Sequence, residues 1–292
     1  MASLDCWSIS GKTVVITGAS SGIGAATVRR LAAAGAHVIP VGRSAERTAS
    51  VAAEVGAEPL IADFAELANV TALAAELSGR VERVDVLINN AAAIFGRRQV
   101  SPDGYELTLQ VNHLAPYLLT RLLMPLLTSG AATTPARVIT TSSSGNIFGR
   151  LRVDDLHWRD REYGHGLIAY CTTKLMNILF TRQLAHELAG TGVQAFAIHP
   201  DPGRKRSGVG RPTRLLSGSV LDRRVPDRIL RRLALTDEDG ADTLEWLAST
   251  VEPPGPSGAY FHGYLCERWC AKITNDPGVA AELWRRSDAM VT

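Results

Sequence analysis

The sequence predicts a single α/β domain, a doubly wound parallel β-sheet flanked by helices, and three observations carry that expectation. Short apolar runs alternate with amphipathic stretches along the chain, a glycine-rich turn follows the first run and opens the first helix, and no internal repeat or linker interrupts the pattern before residue 200. Strands alternating with helices imply right-handed βαβ units and a sheet covered on both faces. With 292 residues, 46% of them hydrophobic, residues 1–292 can form one packed core, since α/β domains of this size often stay undivided.

Taken in order, residues 12–17 (Lys-Thr-Val-Val-Ile-Thr) read as a buried strand and the stretch up to Ala34 as a helix. Strands follow at 37–41, 58–62, 84–89, 137–141 and 193–199, with a seventh at 258–262. Between them lie segments with helical spacing, the longest at 107–127 and 170–188. Two stretches break the rhythm: the polar connection 144–168 and the Pro-, Gly- and Arg-rich segment 201–235. Long irregular segments in a compact α/β domain are usually functional loops. In a doubly wound sheet they overhang the carboxyl ends of the strands, where ligands bind.

Composition narrows the setting more than the partners. A net charge of +2 says nothing about partners, and only four of the 31 basic residues are lysines. Four cysteines (Cys6, Cys171, Cys266, Cys270) are too few for a disulfide framework. No His or Cys pair completes a zinc pattern with Cys266 and Cys270, so idle thiols and no metal are expected. The start of the chain has neither the basic nor the apolar region of a signal peptide, and no apolar run is long enough for a membrane span. A cytoplasmic protein without a membrane segment is expected.

Thr17-Gly18-Ala19-Ser20-Ser21-Gly22-Ile23-Gly24 sits between a predicted strand and a predicted helix, the context in which such glycines bind a dinucleotide. Gly18 allows the tight turn, Gly22 lets backbone approach a pyrophosphate, and Gly24 packs the helix close. The helix N-terminus then presents free N–H groups to the anion. The second strand ends in Gly42-Arg43-Ser44, with no acid for a ribose 2′-hydroxyl and an arginine suited to a 2′-phosphate. NADP(H) is the expected cofactor; a solvated surface arginine is the alternative reading of Arg43.

Tyr170 and Lys174 are spaced i, i+4, one turn apart on one helix face. A cation fixed beside a phenol stabilises the phenolate and makes the group a usable acid/base. The glycine loop, Asn89-Asn90-Ala91-Ala92 after the fourth strand, Asn112, the serines after the fifth strand and Tyr170-x-x-x-Lys174 occur in an order that resembles the short-chain dehydrogenase/reductase family, over residues 10–200. Val153-Asp154-Asp155-Leu156, Tyr-Cys-x-x-Lys-Leu-x-Asn at 170–177 and Leu-Phe-Thr-Arg-x-Leu-Ala at 179–185 are similar to its retinol dehydrogenase-like branch.

The resemblance implies a Rossmann fold and hydride transfer between NADP(H) and a carbonyl/alcohol pair on a bulky apolar substrate. It implies that Ser143, chosen over Ser142 and Ser144 by alignment, orients the substrate oxygen and that Tyr170 moves the proton. Lys174 would hold the nicotinamide ribose, and Asn112 a water linking Lys174 to solvent. Ser20, Ser21, Ile23, Asp63, Phe64, Asn90, Ala91, Ala92 and Pro200 would line the cofactor. It further implies a homodimer or homotetramer. Two rivals stand beside this reading: NAD-dependent alcohol oxidation, and a cofactor-binding relative with a non-redox role.

Departures from the family pattern are Ala92 in place of a glycine and the His199-Pro200-Asp201-Pro202-Gly203 run. Segment 201–235 would be the substrate lid. Its ten basic residues from Arg204 to Arg232, against Asp222 and Asp227, suit either an acidic or carrier-bound substrate or a solvated helix face. Nucleic-acid binding has no support from aromatic interleaving or a known module. The C-terminal extension 263–292 either covers a pocket, forms a subunit interface or packs on the domain.

Overall fold

The computed structural model describes residues 8–201 and 237–292. Eight strands form one sheet in the order β3-β2-β1-β4-β5-β6-β7-β8. These are β1 (Thr13–Thr17), β2 (His37–Gly42), β3 (Leu60–Ile61), β4 (Val86–Asn89), β5 (Ala136–Thr141), β6 (Val193–His199), β7 (Tyr260–His262) and β8 (Leu265–Cys266). The first seven run parallel, and β8 pairs antiparallel with β7. Strand order reverses between β1 and β4, which opens the crevice that doubly wound folds use for ligands.

Why the centre of the sheet forms here is plain in its residues. Val14, Val15 and Ile16 of β1, Val86, Leu87 and Ile88 of β4, and Val138 and Ile139 of β5 are all fully buried. Branched side chains favour a pleated surface packed on both faces. One face packs against helices α1 (Gly22–Ala33), α2 (Ala45–Glu54) and Asp237–Ser249 through Val28, Leu31, Val51, Leu244 and Leu247. The other meets α3 (Leu67–Arg80), α5 (Ala115–Leu122) and α7 (Leu167–Glu187) through Leu73, Leu77, Leu119 and Phe180.

Four segments differ from the sequence expectation, each for a local reason. The strand expected at 58–62 is reduced to Leu60–Ile61 at the sheet's edge, where only one neighbour supplies hydrogen bonds. The helix expected at 107–127 is broken into α4 (Leu107–Leu109), a π-turn (Gln110–Leu114), α5 and α6 (Met124–Thr128). Pro116 and Pro125 each lack an N–H, so one ladder of hydrogen bonds cannot run through. Helix α7 begins at Leu167, three residues before Tyr170, behind Gly166 at φ +75°. A side chain at Gly166 would collide with the Phe95 carbonyl. Finally, β8 was not foreseen; two residues carry no period.

The C-terminal extension packs on the domain. Helix Pro277–Val291 buries Ala280 and Leu283 against Leu109, Leu175 and Met176. Trp284 stacks on Phe180 with ring centres 5.9 Å apart and meets Tyr117 edge-on at 4.9 Å. Such aromatic contacts stabilise beyond their buried area by about 1 kcal/mol each. The expected lid, 201–235, lies outside the described residues but for Asp201.

Candidate active site

The glycine loop joins β1 to α1 at the sheet's carboxyl edge. Gly18 and Gly22 have φ of +70° and +61°, a region that other residues rarely adopt. A Cβ on Gly18 would stand 2.8 Å from the Ala91 Cα, and one on Gly24 would meet the Gly18 carbonyl. The loop is therefore closed on the turn after β4, where the Thr17 hydroxyl accepts hydrogen bonds from Asn90 N (3.0 Å) and Ala91 N (3.1 Å). Asn90 Nδ2 also donates to the Thr17 carbonyl at 3.1 Å.

This cradle fits a dinucleotide phosphate. The α1 N-cap, Ser21, makes no side-chain capping bond, and the first turn holds no acid, so its N–H groups face an anion without competition from the helix itself. A cleft over the loop is lined by Ser20, Ser21, Gly22, Arg29, Asp237 and Glu238, among others. Arg43 is exposed just past β2. It lies close to the loop, because Ala19 N donates to the Val41 carbonyl and Gly42 abuts Ser20. Asp63 and Phe64 follow β3; the Asp63 carboxylate caps Ala65 N at 3.0 Å, and the Phe64 ring is buried in the core. Ile23 is buried against Gly240, and Pro200 is buried after β6. Ala91 and Ala92 are half-buried.

Across the crevice, β5 and α7 bring Ser143, Tyr170 and Lys174 together. The Ser143 hydroxyl lies beside the Tyr170 phenol, near enough to act on its ionisation, and accepts from Gly145 N at 3.1 Å. The three candidate serines separate cleanly. Ser142 is buried and gives its proton to the Lys174 carbonyl at 2.7 Å, whereas Ser144 opens the short 3-10 helix Ser144–Phe148. Lys174 is fully buried, donates to the Thr141 carbonyl at 2.8 Å and lies 5.5 Å from the centre of the Tyr170 ring.

Burial dominates the electrostatics. It pushes the Lys174 ammonium down to about 7, with no carboxylate among the described residues counteracting it. It also raises the Tyr170 phenol well above its ordinary value, the neighbouring Ser143 hydroxyl offsetting this only in part. The sequence led us to expect a phenol lowered by its lysine; in the chain alone desolvation wins. Burial likewise raises the neighbouring Cys171 thiol to about 11, so it is protonated and unreactive at neutral pH.

Asn112 sits inside the π-turn, a feature often found at functional sites. Its side chain grips Ala93 twice, accepting from N and donating to O at 2.8 Å each, and donates to Thr173 Oγ1 at 3.2 Å. It thus ties the turn after β4 to the α7 turn bearing Lys174. Three supporting residues had not been singled out from sequence. Thr141 supplies the carbonyl that holds Lys174, and Thr173 anchors Asn112. Asn177 Nδ2 reaches the same Thr141 carbonyl at 3.3 Å, and its Oδ1 lies 3.4 Å from His113 Nδ1. His113 Nε2 in turn meets Ser287 Oγ at 2.8 Å on the C-terminal helix. Asn177 does close the Tyr-Cys-x-x-Lys-Leu-x-Asn pattern of residues 170–177, three residues after Lys174, but that pattern gave it no role.

Comparison with known proteins bears on this arrangement. Residues 12–153 match the family model described as short chain dehydrogenase. Human retinol dehydrogenase 13 is 36% identical over 290 residues, spanning 97% of this chain and 85% of that protein. The chain belongs to the short-chain dehydrogenase/reductase family. Its place is in the retinol dehydrogenase-like branch. A protein of Streptomyces sp. (strain C5), provisionally named daunorubicin C-13 ketoreductase, is 40% identical over 96% of this chain and 93% of its own. Among solved structures, an uncharacterized protein from Mycobacterium paratuberculosis superposes with a TM-score of 0.76 at 31% identity, covering 98% of this chain and 96% of that one. The Pseudomonas aeruginosa RhlG/NADP active-site complex gives 0.68 at 25%, covering 88% and 98%. This family member is an oxidoreductase acting on CH–OH or C=O groups with a nicotinamide cofactor. Among the described residues no helix is long and apolar enough to cross a membrane.

Proposed function

We propose that the chain is an NADPH-dependent reductase of ketones or aldehydes on bulky apolar substrates. The observation that carries the reading is the buried Tyr170 phenol set beside Ser143, with the buried Lys174 ammonium 5.5 Å from its ring. The phenol is protonated at neutral pH and so poised as an acid, the form that carbonyl reduction needs.

In this mechanism Ser143 hydrogen-bonds the substrate oxygen and sets it against the Tyr170 hydroxyl. NADPH, when bound, supplies the hydride to the carbonyl carbon. Negative charge then grows on the oxygen, and Tyr170 donates its proton there as the Ser143 hydrogen bond strengthens. The Tyr170 phenolate left behind is stabilised by the Lys174 ammonium until a proton returns. The glycines Gly18, Gly22 and Gly24 with Ser20, Ser21 and Ile23 would hold the pyrophosphate, and Arg43 the 2′-phosphate. Asp63, Phe64, Asn90, Ala91, Ala92 and Pro200 would flank the remainder of the cofactor. Asn112 acts by holding Ala93 and the α7 turn in place.

Support for an apolar substrate comes from Ile147 and Phe148, 47% and 63% exposed and only four and five residues past Ser143. The names of two relatives point the same way, one taken from retinol and one from a daunorubicin ketone. In the cell we expect a cytoplasmic homodimer or homotetramer, as the family suggests, which sedimentation of the purified chain would test.

The deciding experiment follows cofactor absorbance with a panel of bulky ketones and aldehydes, NADPH and NADH in parallel. We expect NADPH to be preferred, and Arg43→Ala to lose about tenfold in NADPH affinity, roughly 1.4 kcal/mol, with NADH unaffected. A preference for NADH left unchanged by Arg43→Ala would favour alcohol oxidation with NAD. Tight NADPH binding with no turnover on any carbonyl would favour a non-redox role.

A further inference from the structure

Three metal-ligating side chains lie together at the carboxyl ends of β6 and β7, outside the Ser143–Tyr170–Lys174 set. His199 and His262 are register partners on the two strands, and Asp201 follows two residues after His199. One donor atom from each of the three lies within 4.8 Å of the others. His262 Nε2 stands 3.5 Å from Asp201 Oδ2. That is long for a hydrogen bond, yet close to the roughly 3.3 Å between two ligands that each sit about 2.0–2.1 Å from one tetrahedral ion. The two imidazole centres are 4.8 Å apart, and Trp269 packs on His262 at 4.9 Å.

A second observation points to a ligand. The Nδ1 atoms of His199 and His262 are both buried without a hydrogen-bond partner among the described residues. Buried polar atoms are rarely left so, and each exception calls for an explanation such as a bound ion. Among the described residues no hydrogen bond at Nδ1 fixes either ring, which leaves that nitrogen available to an ion.

We propose that His199, Asp201 and His262 form a site for one divalent transition ion, with Zn²⁺ the best match. Two imidazole nitrogens and one carboxylate oxygen make a three-ligand zinc set that leaves a fourth position open to water. Mg²⁺ and Ca²⁺ call for six or more oxygens and do not suit it. The three ligand atoms, now within 4.8 Å of one another, must draw together for all to reach the bonding distance typical of zinc. His262 comes from β7, far along the chain from His199 and Asp201 at the end of β6, which is why no local spacing announced the full set. Lys174 is near enough to act electrostatically on His199, so the ion would lie beside the catalytic set. The assignment stands whether or not the reductase reading does.

The test is a titration of the full-length, chelator-stripped protein with Zn²⁺ against a chromophoric zinc indicator, paired with thermal melting. We expect one Zn²⁺ per chain with Kd of about 10 μM or tighter and a rise in melting temperature. His262→Ala and Asp201→Asn should each weaken binding at least about tenfold while keeping the circular dichroism of the parent. Should His262→Ala fold poorly, His262→Phe preserves the packing on Trp269 and is expected to lose binding equally. The Cys266→Ser/Cys270→Ser variant should bind like the parent. The proposal is overturned by binding weaker than about 1 mM, by binding that survives both His262 variants, by loss confined to the cysteine variant, or by equal affinity for Mg²⁺.

Discussion

At the amino edge of the sheet Asp85 accepts from Arg83 (2.7 Å), from Thr13 N (2.9 Å) and from Lys12 (3.4 Å). Nearby, the Arg137 guanidinium donates to the carbonyls of Leu247 and Val251, both at 3.1 Å, where helix Asp237–Ser249 ends. At the carboxyl edge Lys174 is just as buried, yet among the described residues its hydrogen-bond partner is only the Thr141 carbonyl. The Tyr170 phenol there is raised by burial, and two imidazole nitrogens have no described partner. One edge surrounds each buried charge with several partners, although burial still lowers the Arg137 guanidinium to about 10. The other keeps polar groups desolvated and under-partnered, a cost in stability typical of sites that handle a ligand or a proton.

Disrupting the paired edge gives the largest effect on stability. Asp85→Ala leaves Arg83 and Lys12 without their buried partner and is expected to destabilise by about 3 kcal/mol. Cofactor affinity should be unchanged, because Asp85 lies at the opposite edge from the glycine loop; denaturant unfolding and fluorescence titration check the two halves.

At the other edge the sign reverses. The Lys174 pKa is lowered to about 7 from the ordinary 10.5, so the unfolded chain holds its proton more tightly than the folded one. The penalty is therefore fully present below pH 7 and fades as pH rises from 7 to 10.5. Lys174→Met should abolish turnover yet stabilise the fold by about 2 kcal/mol at pH 6, after allowing for the lost Thr141 bond. Melting curves of the two proteins should converge near pH 10; a constant offset would contradict the assignment.

Smaller still is the effect of Asn177, which shares the Thr141 carbonyl with Lys174. Asn177→Leu is expected to destabilise by about 1 kcal/mol and to lower kcat about tenfold with little change in KM. A shifted pH profile would mark positioning of Lys174; a change in stability alone would reduce Asn177 to packing.

How much of this was legible follows from range. The strands of the inner sheet were readable because their apolar runs are local, and the loop because Gly18, Gly22 and Gly24 are consecutive punctuation. Ser143 could be chosen over Ser142 by alignment, but the bond that turns Ser142 onto the α7 backbone could not be read from the chain. Asn112 could be named, but its grip on Ala93 and its place in a π-turn could not, since the apolar period runs through Gln110–Leu114 without a break. Asn177 to Ser287 and His199 to His262 join distant positions, and no spacing rule reaches across them.

The central claim is that Tyr170 transfers the proton in NADPH-dependent carbonyl reduction, and the most direct measurement compares the parent with Tyr170→Phe on the best ketone of the panel. Removing the one hydroxyl should cut kcat about a thousandfold, within the range of general acid catalysis, while NADPH affinity stays within twofold. Turnover by Tyr170→Phe close to that of the parent would contradict the account.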